Sequence, residues 1–199
     1  MPTLLLGTRN PGKVIEIVSI LADAGWTFRS LQEFADVSVA TENATTYAEN
    51  AIEKARFYAL STGLCALADD SGLEVEALGG APGVFSARYA GDNASDADRR
   101  ALLLAELSKV GDANRRARFV SAVALAHPDG EVLNLSEGIC EGTLTFAPRG
   151  TNGFGYDPLL IPDGYDKTFA ELPDTIKNRI SHRARALLQT KEFLKSMTA

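Results

Sequence analysis

Two adjacent carboxylates, Asp69 and Asp70, follow an apolar run and precede Ser71 and Gly72. The run LCALA predicts a buried strand, so the two acids stand where that strand is expected to end. Neighbouring carboxylates that are partly buried are costly unless a cation pairs with them. Mg²⁺ is a natural partner, because it takes carboxylate oxygens together with waters and phosphate oxygens. The pair therefore indicates a magnesium site that handles phosphate groups.

The helix predicted before this strand, over residues 47–61, carries two pairs of polar side chains at i,i+4 spacing. Glu49 is paired in this way with Glu53, and Asn50 with Lys54. One pair could supply metal or hydrogen-bond ligands, and Lys54 a positive charge for phosphate. An exposed helix face, on which Lys54 eases the repulsion between the glutamates, is the alternative. The spacing alone leaves both interpretations open.

A second set of polar residues lies in the turn after the first predicted strand, Thr3–Leu6. Thr8, Asn10 and Lys13 stand in this turn, Pro11 and Gly12 complete it, and Val14, Ile17, Val18 and Leu21 then recur at helical spacing. A helix N-terminus offers unpaired N–H groups and partial positive charge, which suits a phosphate. Lys13 adds a full positive charge where most helices prefer an acid. This turn is a candidate phosphate site.

Two other interpretations of the same turn remain open. The spacing from Gly7 to Gly12 and Lys13 fits the start of a P-loop, but Val14 stands where that loop requires a hydroxyl. A P-loop kinase or NTPase is therefore a weakened alternative. An ordinary strand–helix turn without a ligand is the other.

The remaining pattern predicts an α/β fold with a mixed sheet, because strands and helices alternate early and hairpin strands dominate later. No linker or repeat interrupts the chain, so residues 1–199 are interpreted as a single domain. Further predicted features are a 47–61 helix capped by Thr46 and Gly63, a break at Gly72 followed by a strand over Leu73–Leu78, a loop over 79–94, a helix Asp96–Lys109 capped by Ser95 and Asp98, a hairpin at Pro128-Asp129-Gly130, and a last helix from Ser181 to about Met197.

Composition excludes several classes of protein. The net charge of −6 and the absence of a basic stripe argue against a general nucleic-acid binder. The short cluster Arg115, Arg116 and Arg118 is interpreted as a solvated turn before a strand. No apolar run reaches the length of a membrane span, and no targeting segment is apparent, so a soluble cytoplasmic protein is expected. Cys65 and Cys140 form no metal-binding spacing with either histidine.

Six sequence blocks in a fixed order resemble the inosine triphosphate pyrophosphatase family, also described as dITP/XTP diphosphatases. The resemblance covers nearly the whole chain. It rests on TRNPGK (8–13), ENAIEKA (49–55), ADDSGLEV (68–75), GGAPGVFSARYAG (79–91), GTNGFGYDP (150–158) and KNRISHR (177–183).

The resemblance implies an elongated, two-lobed single domain with the active-site cleft between the lobes, and a homodimer. It also implies Mg²⁺-dependent hydrolysis of the non-standard purine nucleoside triphosphates dITP, ITP and XTP to the monophosphate and pyrophosphate. This reaction would cleanse the nucleotide pool and prevent misincorporation into DNA and RNA.

The same resemblance implies roles for individual residues. Asp70 is expected to be the catalytic base, assisted by Lys13 and Lys54, and the expected Mg²⁺ ligands are Glu42, Asp70 and Asp69. The expected substrate contacts are Thr8, Arg9, Asn10, Pro11, Gly12 and Lys13 on the phosphates, Ser71, the base-stacking Phe154 with Gly155, Tyr156 and Asp157 around it, and Lys177, His182 and Arg183 on the purine edge. The chain departs from the family pattern at Arg9, often a small residue, and at Tyr156, where some members carry a larger aromatic.

Base choice follows from hydrogen bonding. Donors such as Lys177 and Arg183 would pair with the 6-oxo group of hypoxanthine or xanthine and oppose the 6-amino group of adenine. The pattern does not indicate how guanine is rejected. Two alternatives remain: a pyrophosphatase for other nucleotides such as modified pyrimidine triphosphates, and a nucleotide-binding sensor without turnover.

Overall fold

A six-stranded mixed sheet forms the framework of the protein in the computed structural model, which describes residues 1–111 and 114–198. The strand order is β2-β1-β3-β4-β5-β6, with β1 parallel to β2 and β3, and β5 antiparallel to β6. The predicted α/β class with a mixed sheet is confirmed. The strands are β1 (Thr3–Leu6), β2 (Thr27–Ser30), β3 (Cys65–Val75), β4 (Arg116–Ala126), β5 (Val132–Leu144) and β6 (Leu160–Pro162).

The α-helices agree with the expected positions except for one short addition. They are α1 (Pro11–Leu21), α2 (Tyr47–Thr62), α3 (Asp96–Val110), α4 (Asp174–Ile180) and α5 (His182–Ser196). Sequence analysis missed α4 and the four-residue β2. Within the described ranges, no helix is both long and apolar enough to cross a bilayer.

The chain divides into two compact units, each with its own apolar core. The first comprises Met1–Asp70, Ser121–Gly138 and His182–Ala199, and the second comprises Ser71–Val120 and Ile139–Ser181. Leu4, Ile17 and Leu187 are among the core residues of the first unit, and Leu73, Leu103 and Phe169 among those of the second. The single domain over residues 1–199, the cleft between lobes and the homodimer stay predictions.

Several predicted boundary signals are confirmed as hydrogen bonds. Thr46 caps α2 by accepting from the Glu49 amide, and Gly63 ends that helix in the left-handed conformation with φ of 67°. Ser95 and Asp98 form the expected capping box at the start of α3. The predicted hairpin turn joins β4 to β5, with the His127 amide donating to the Glu131 carbonyl.

Strand β3 differs from the sequence prediction in a way that matters for the acidic pair. It runs without interruption through Asp69, Asp70 and Gly72, and only a 3-10 turn at Glu76–Leu78 follows it. Gly72 does not break the strand because it keeps an extended backbone rather than a left-handed one. The two carboxylates therefore lie inside a buried strand and not at its end.

Helix α1 follows the predicted apolar stripe at three of its four positions. Ile17 and Leu21 are buried and Val14 packs against the core, whereas Val18 is 38% exposed. The buried side also includes Glu16 and Ile20, which the prediction did not name.

The arginine cluster predicted to be a solvated turn lies largely in β4. Arg116 is ion-paired with Asp163 at 2.6 Å, and Arg118 with Glu74 at 2.7 Å. Arg115 is buried, and its guanidinium donates to the Leu144 and Thr145 carbonyls. The predicted turn was wrong because Arg116 and Arg118 lie in β4. The predicted solvation was wrong for Arg115, which is buried, whereas Arg118 is exposed as expected.

Candidate active site

The phosphate turn begins where β1 approaches β3 too closely for a side chain. The Gly7 amide donates to the Leu67 carbonyl at 2.7 Å. A Cβ atom on Gly7 would lie 2.9 Å from Tyr58 Cδ2 and 3.0 Å from the Leu67 carbonyl oxygen. The absence of a side chain therefore lets the following turn lie directly beside β3.

Asn10 is the N-cap of α1. Its Oδ1 accepts from the amides of Gly12 at 2.9 Å and Lys13 at 3.2 Å, and its own amide donates to Thr8 Oγ1. Pro11 and Gly12 consequently belong to the first helical turn, where proline is favoured, and not to the preceding turn. Two of the N–H groups that the sequence suggested as free for phosphate are thus occupied by the cap itself.

The neighbouring Arg9 is directed elsewhere. Its guanidinium donates to the Val37 carbonyl at 2.7 Å, and its side chain is exposed. This bond does not test the predicted contact of Arg9 with phosphate, which stays a prediction.

Asp69 accepts from two cations through one carboxylate oxygen. Lys13 Nζ lies 2.9 Å from Asp69 Oδ2, and Arg183 Nε lies 3.0 Å from the same atom. Arg183 continues the network, because its Nη1 lies 2.5 Å from Glu16 Oε2. Helices α1 and α5 together thus surround Asp69 with a buried chain of alternating charges.

Asp70 is contacted by helix α2 instead. Asn50 Nδ2 donates to Asp70 Oδ2 at 2.9 Å. Lys54 Nζ donates to the Asp69 carbonyl oxygen at 2.6 Å and to Glu42 Oε1 at 2.8 Å, and it lies 3.8 Å from Asp70 Oδ1.

The same contacts decide between the two interpretations of α2. Asn50 and Lys54 are buried against the acidic pair, whereas Glu49 and Glu53 are exposed. The face carrying the asparagine and the lysine is therefore the one that meets the carboxylates.

The pKa values of the two carboxyl groups are shifted in opposite directions. Burial alone would raise the pKa of Asp69, but the charges of Lys13, Arg183 and Lys54 outweigh it and hold that pKa well below its usual range. Burial raises the pKa of Asp70, and Lys54 offsets this only partly. Asp69 is therefore a fixed anion, while Asp70 is the more basic carboxylate of the two.

The same cluster of charges and its burial shift the pKa values of Lys54 and Lys13. Burial alone would lower the pKa of Lys54, but the carboxylates of Asp70, Asp69 and Glu42 reverse the effect and raise it. For Lys13, burial lowers the pKa despite the nearby Asp69. Lys54 is therefore held firmly as an ammonium among the acids.

The donor set is compatible with Mg²⁺, provided that the substrate contributes ligands. Asp69 Oδ1 is buried and has no hydrogen-bond partner among the described residues, so one carboxylate oxygen remains able to accept. Within residues 1–111 and 114–198, no cluster of three His, Cys, Asp or Glu side chains is arranged to hold a metal alone. Mg²⁺ sites commonly use one or two carboxylates with waters and substrate phosphates.

A second group of predicted site residues lies in the other unit, around Phe154. Asp157 Oδ2 accepts from the Phe154 amide at 2.9 Å and from Lys177 Nζ at 2.5 Å. Lys177 Nζ also lies 4.8 Å from the centre of the Phe154 ring, which is a cation–π distance. The aromatic ring, the acid and the ammonium therefore form one connected group.

Tyr156 stabilises this group from the core. It is buried, and its hydroxyl donates to the Ser86 carbonyl at 3.0 Å; burial raises the pKa of the phenol. Its neighbour Gly155 has a φ of 58°, a left-handed conformation that favours glycine. Tyr156 thus anchors the loop, and its predicted role beside the base stays a prediction.

The predicted site residues are divided between the two units. Ser71, in β3, is partly buried, and His182, at the start of α5, is buried. In the first unit lie Thr8, Arg9, Asn10, Pro11, Gly12, Lys13, Glu42, Lys54, Asp69, Asp70, His182 and Arg183, and in the second Ser71, Phe154, Gly155, Tyr156, Asp157 and Lys177.

Sequence reasoning missed Glu16 as a member of the first group. A glutamate in an amphipathic helix is normally expected on the solvent face, but Glu16 lies one turn before Ile20 and shares its buried side. That spacing was the available signal. The arginine that pairs with it lies far away in sequence and could not be assigned from the pattern.

Replacing Glu16 with alanine is expected to destabilise the protein by about 3–5 kcal/mol, because Arg183 is left buried with one of its carboxylate partners removed. Chemical unfolding of the variant measures this loss. The control is Glu106→Ala, which removes the partner of the exposed Lys109 and should cost less than about 1 kcal/mol. Equal losses in the two variants would contradict a buried role for Glu16.

The first unit combines a capped helix start with buried lysines and carboxylates. This arrangement is expected of a protein that handles phosphate groups. The model of the Ham1 family matches residues 4–193, and the chain belongs to this family. The family membership predicted from the six sequence blocks is thereby confirmed.

Relatives and a solved structure agree with this assignment. A dITP/XTP pyrophosphatase of Streptomyces avermitilis is 50% identical over 188 residues, covering 94% of each chain. A dITP/XTP pyrophosphatase of Geobacter sulfurreducens is 48% identical over 98% of this chain and 97% of its own. The structure of a HAM1 protein from Coxiella burnetii superposes with a TM-score of 0.89 at 43% identity, covering 98% of this chain and all of that one.

Proposed function

We propose that the protein hydrolyses non-standard purine nucleoside triphosphates, namely dITP, ITP and XTP, to the nucleoside monophosphate and pyrophosphate in a Mg²⁺-dependent reaction. The name shared by the relatives supports the reaction class. The observation that carries the proposal is the buried cluster in which Lys13, Lys54 and Arg183 surround Asp69 and Asp70. On the family resemblance, we also propose a homodimer that removes such nucleotides from the cellular pool.

The lysines of the first unit are suited to the triphosphate. Lys13 follows the N-cap of α1, and Lys54 extends from α2 to the acidic pair. Both ammonium groups can absorb the charge that develops on a pyrophosphate leaving group. They are held in place before substrate arrives, because each already has a carboxylate or carbonyl partner.

Asp70 is the group best suited to orient and deprotonate a water for attack on the α phosphorus. Its carboxylate is buried, its Oδ2 is fixed by Asn50, and its raised pKa makes it a better base than an ordinary aspartate. Asp69 and Asp70, with Glu42 as a third donor, would hold Mg²⁺. Bound there, the ion would neutralise phosphate charge and lower the pKa of a coordinated water.

The group around Phe154 is suited to a purine base. The Phe154 ring, which is partly buried, would stack on the base, and Lys177 would donate to a 6-oxo group. A lysine ammonium has three N–H donors, so the bond to Asp157 does not by itself exhaust it. Adenine would place a 6-amino donor against the same ammonium, which is an unfavourable pairing.

A panel of triphosphates tests the proposal directly. Pyrophosphate release in the presence of Mg²⁺ is measured for dITP, XTP, dGTP, dATP and dTTP. We expect the highest kcat/KM for dITP and XTP. A preference for dTTP over every 6-oxopurine would overturn the substrate class, and tight dITP binding without pyrophosphate release would indicate a sensor.

Hydrolysis in ¹⁸O-labelled water locates the bond that is attacked. Attack at the α phosphorus places the label in the nucleoside monophosphate. Label in the pyrophosphate would move the attack to the β phosphorus and contradict the proposed geometry of reaction.

A further inference from the structure

The start of helix α3 holds the peptide group of Gly155 from both sides. Asp96 Oδ2 accepts from the Gly155 amide at 2.7 Å, and Arg100 Nη1 donates to the Gly155 carbonyl at 2.6 Å. Asp96 and Arg100 are four residues apart on α3 and therefore lie on the same helix face. Each bond involves a charged group, which makes it stronger than a bond between neutral partners.

These contacts are not explained by the needs of the helix itself. The cap of α3 is supplied by Ser95 and Asp98, whose side chains each accept from the other's amide at 3.2 Å and 2.9 Å. An acid at the first helical position also interacts favourably with the helix dipole, but that effect requires no partner in a distant loop. Asp96 is further held in place by Arg99, which lies 3.0 Å from its other oxygen.

The consequence falls on Phe154. The amide on the N-terminal side of its Cα donates to Asp157, and the amide on the C-terminal side, which belongs to Gly155, donates to Asp96. Both N–H groups that flank the aromatic residue are thus fixed by carboxylates. The backbone sets the direction of the Cα–Cβ bond from which the ring extends, so α3 contributes to where the ring lies.

We propose that Asp96 and Arg100 are positioning residues that pre-organise Phe154 for a purine base and so set the affinity for the nucleoside part of the substrate. This inference rests on the proposed function, in which Phe154 stacks on the base. A loop that is ordered before binding does not lose conformational entropy when the ligand arrives. The two bonds that join Asp96 and Arg100 to Gly155 are called the clamp below. Loss of the clamp therefore weakens base binding and leaves the phosphate contacts of the other unit unchanged.

The test separates the two halves of the substrate with Asp96→Ala in the full chain. KM and kcat for dITP are measured, together with the inhibition constants of inosine, which carries the base without phosphate, and of pyrophosphate. We expect KM and the inosine constant to rise about tenfold, because base–aromatic stacking is of this order. The kcat and the pyrophosphate constant should stay within about twofold.

Three further variants make the result specific. Asp98→Ala removes the cap of the same helix without touching Gly155, so it should leave the inosine constant unchanged. Asp96→Asn retains an acceptor oxygen and should recover part of the affinity. If Asp96→Ala does not fold, Arg100→Met tests the opposite side of the clamp with the same measurements.

The clamp is overturned if Asp96→Ala and Arg100→Met bind inosine as the unmodified protein does, or if Asp98→Ala weakens inosine equally. Failure of the proposed function has a different signature, because the unmodified protein would then release no pyrophosphate from dITP. Direct calorimetric titration with inosine still measures the clamp in that case.

Discussion

Asp70→Asn is expected to lower the turnover of dITP by about 10³-fold, within the range that a positioned general base contributes. Asparagine has nearly the same shape and can still accept from Asn50 Nδ2, so the hydrogen bond that fixes the side chain is preserved. The variant loses the negative charge and the basicity that water activation and Mg²⁺ binding would require. Steady-state pyrophosphate release measures the change.

The stability of the same variant should not fall. Burial disfavours the charged form of Asp70 in the folded protein, so a neutral amide at this position removes an unfavourable desolvation. Thermal unfolding is expected to show a midpoint equal to or above that of the parent. The control is Asp23→Asn, an exposed substitution of the same chemistry, which should leave turnover unchanged. Retained turnover in folded Asp70→Asn would disprove its central role.

Lys177→Met is expected to reduce the preference for dITP over dATP by about 10²-fold or more, because the donor that distinguishes a 6-oxo from a 6-amino group is removed. The ammonium is almost fully buried and lies 4.8 Å from the centre of the Phe154 ring, so it is close to the residue that is proposed to stack on the base. The ratio of kcat/KM for the two nucleotides is the measurement.

A structural effect has to be separated from this change in selectivity. The single variant leaves Asp157 buried without its ammonium partner, which is expected to cost about 3–5 kcal/mol. The double variant Lys177→Met/Asp157→Asn removes both charges and should recover part of that stability. An unchanged dITP to dATP ratio in a folded form of either variant would rule out Lys177 as the discriminating donor.

Much of the first unit's site could be anticipated from local pattern. Asp69 and Asp70 could be recognised as site residues because two acids in an apolar run need cations nearby. The i,i+4 spacing on α2 restricted their partners on that helix to one of two faces. The choice between those faces depends on how α2 packs, which no spacing reveals. The structure selects Asn50 and Lys54.

What could not be anticipated depends on contacts between distant segments. Gly72 was expected to break the strand, yet an extended glycine is compatible with a buried strand whose neighbours supply the hydrogen bonds. Glu16 was not considered, because its burial depends on Arg183 from the opposite end of the chain. The bonds from Asp96 and Arg100 to Gly155 are hidden for the same reason.

The adjacent acids of β3 have different partners and are better regarded as two separate groups than as one pair. Successive side chains of an extended strand point to opposite faces of the sheet, and the partners agree: Asp69 meets α1 and α5, whereas Asp70 meets Asn50 on α2. A single peptide bond thus separates an anion held by two cations from one held by an amide. Substitutions at the two neighbouring positions are therefore expected to differ, because a change at Asp69 removes its ion pairs with Lys13 and Arg183, whereas a change at Asp70 leaves both ion pairs in place.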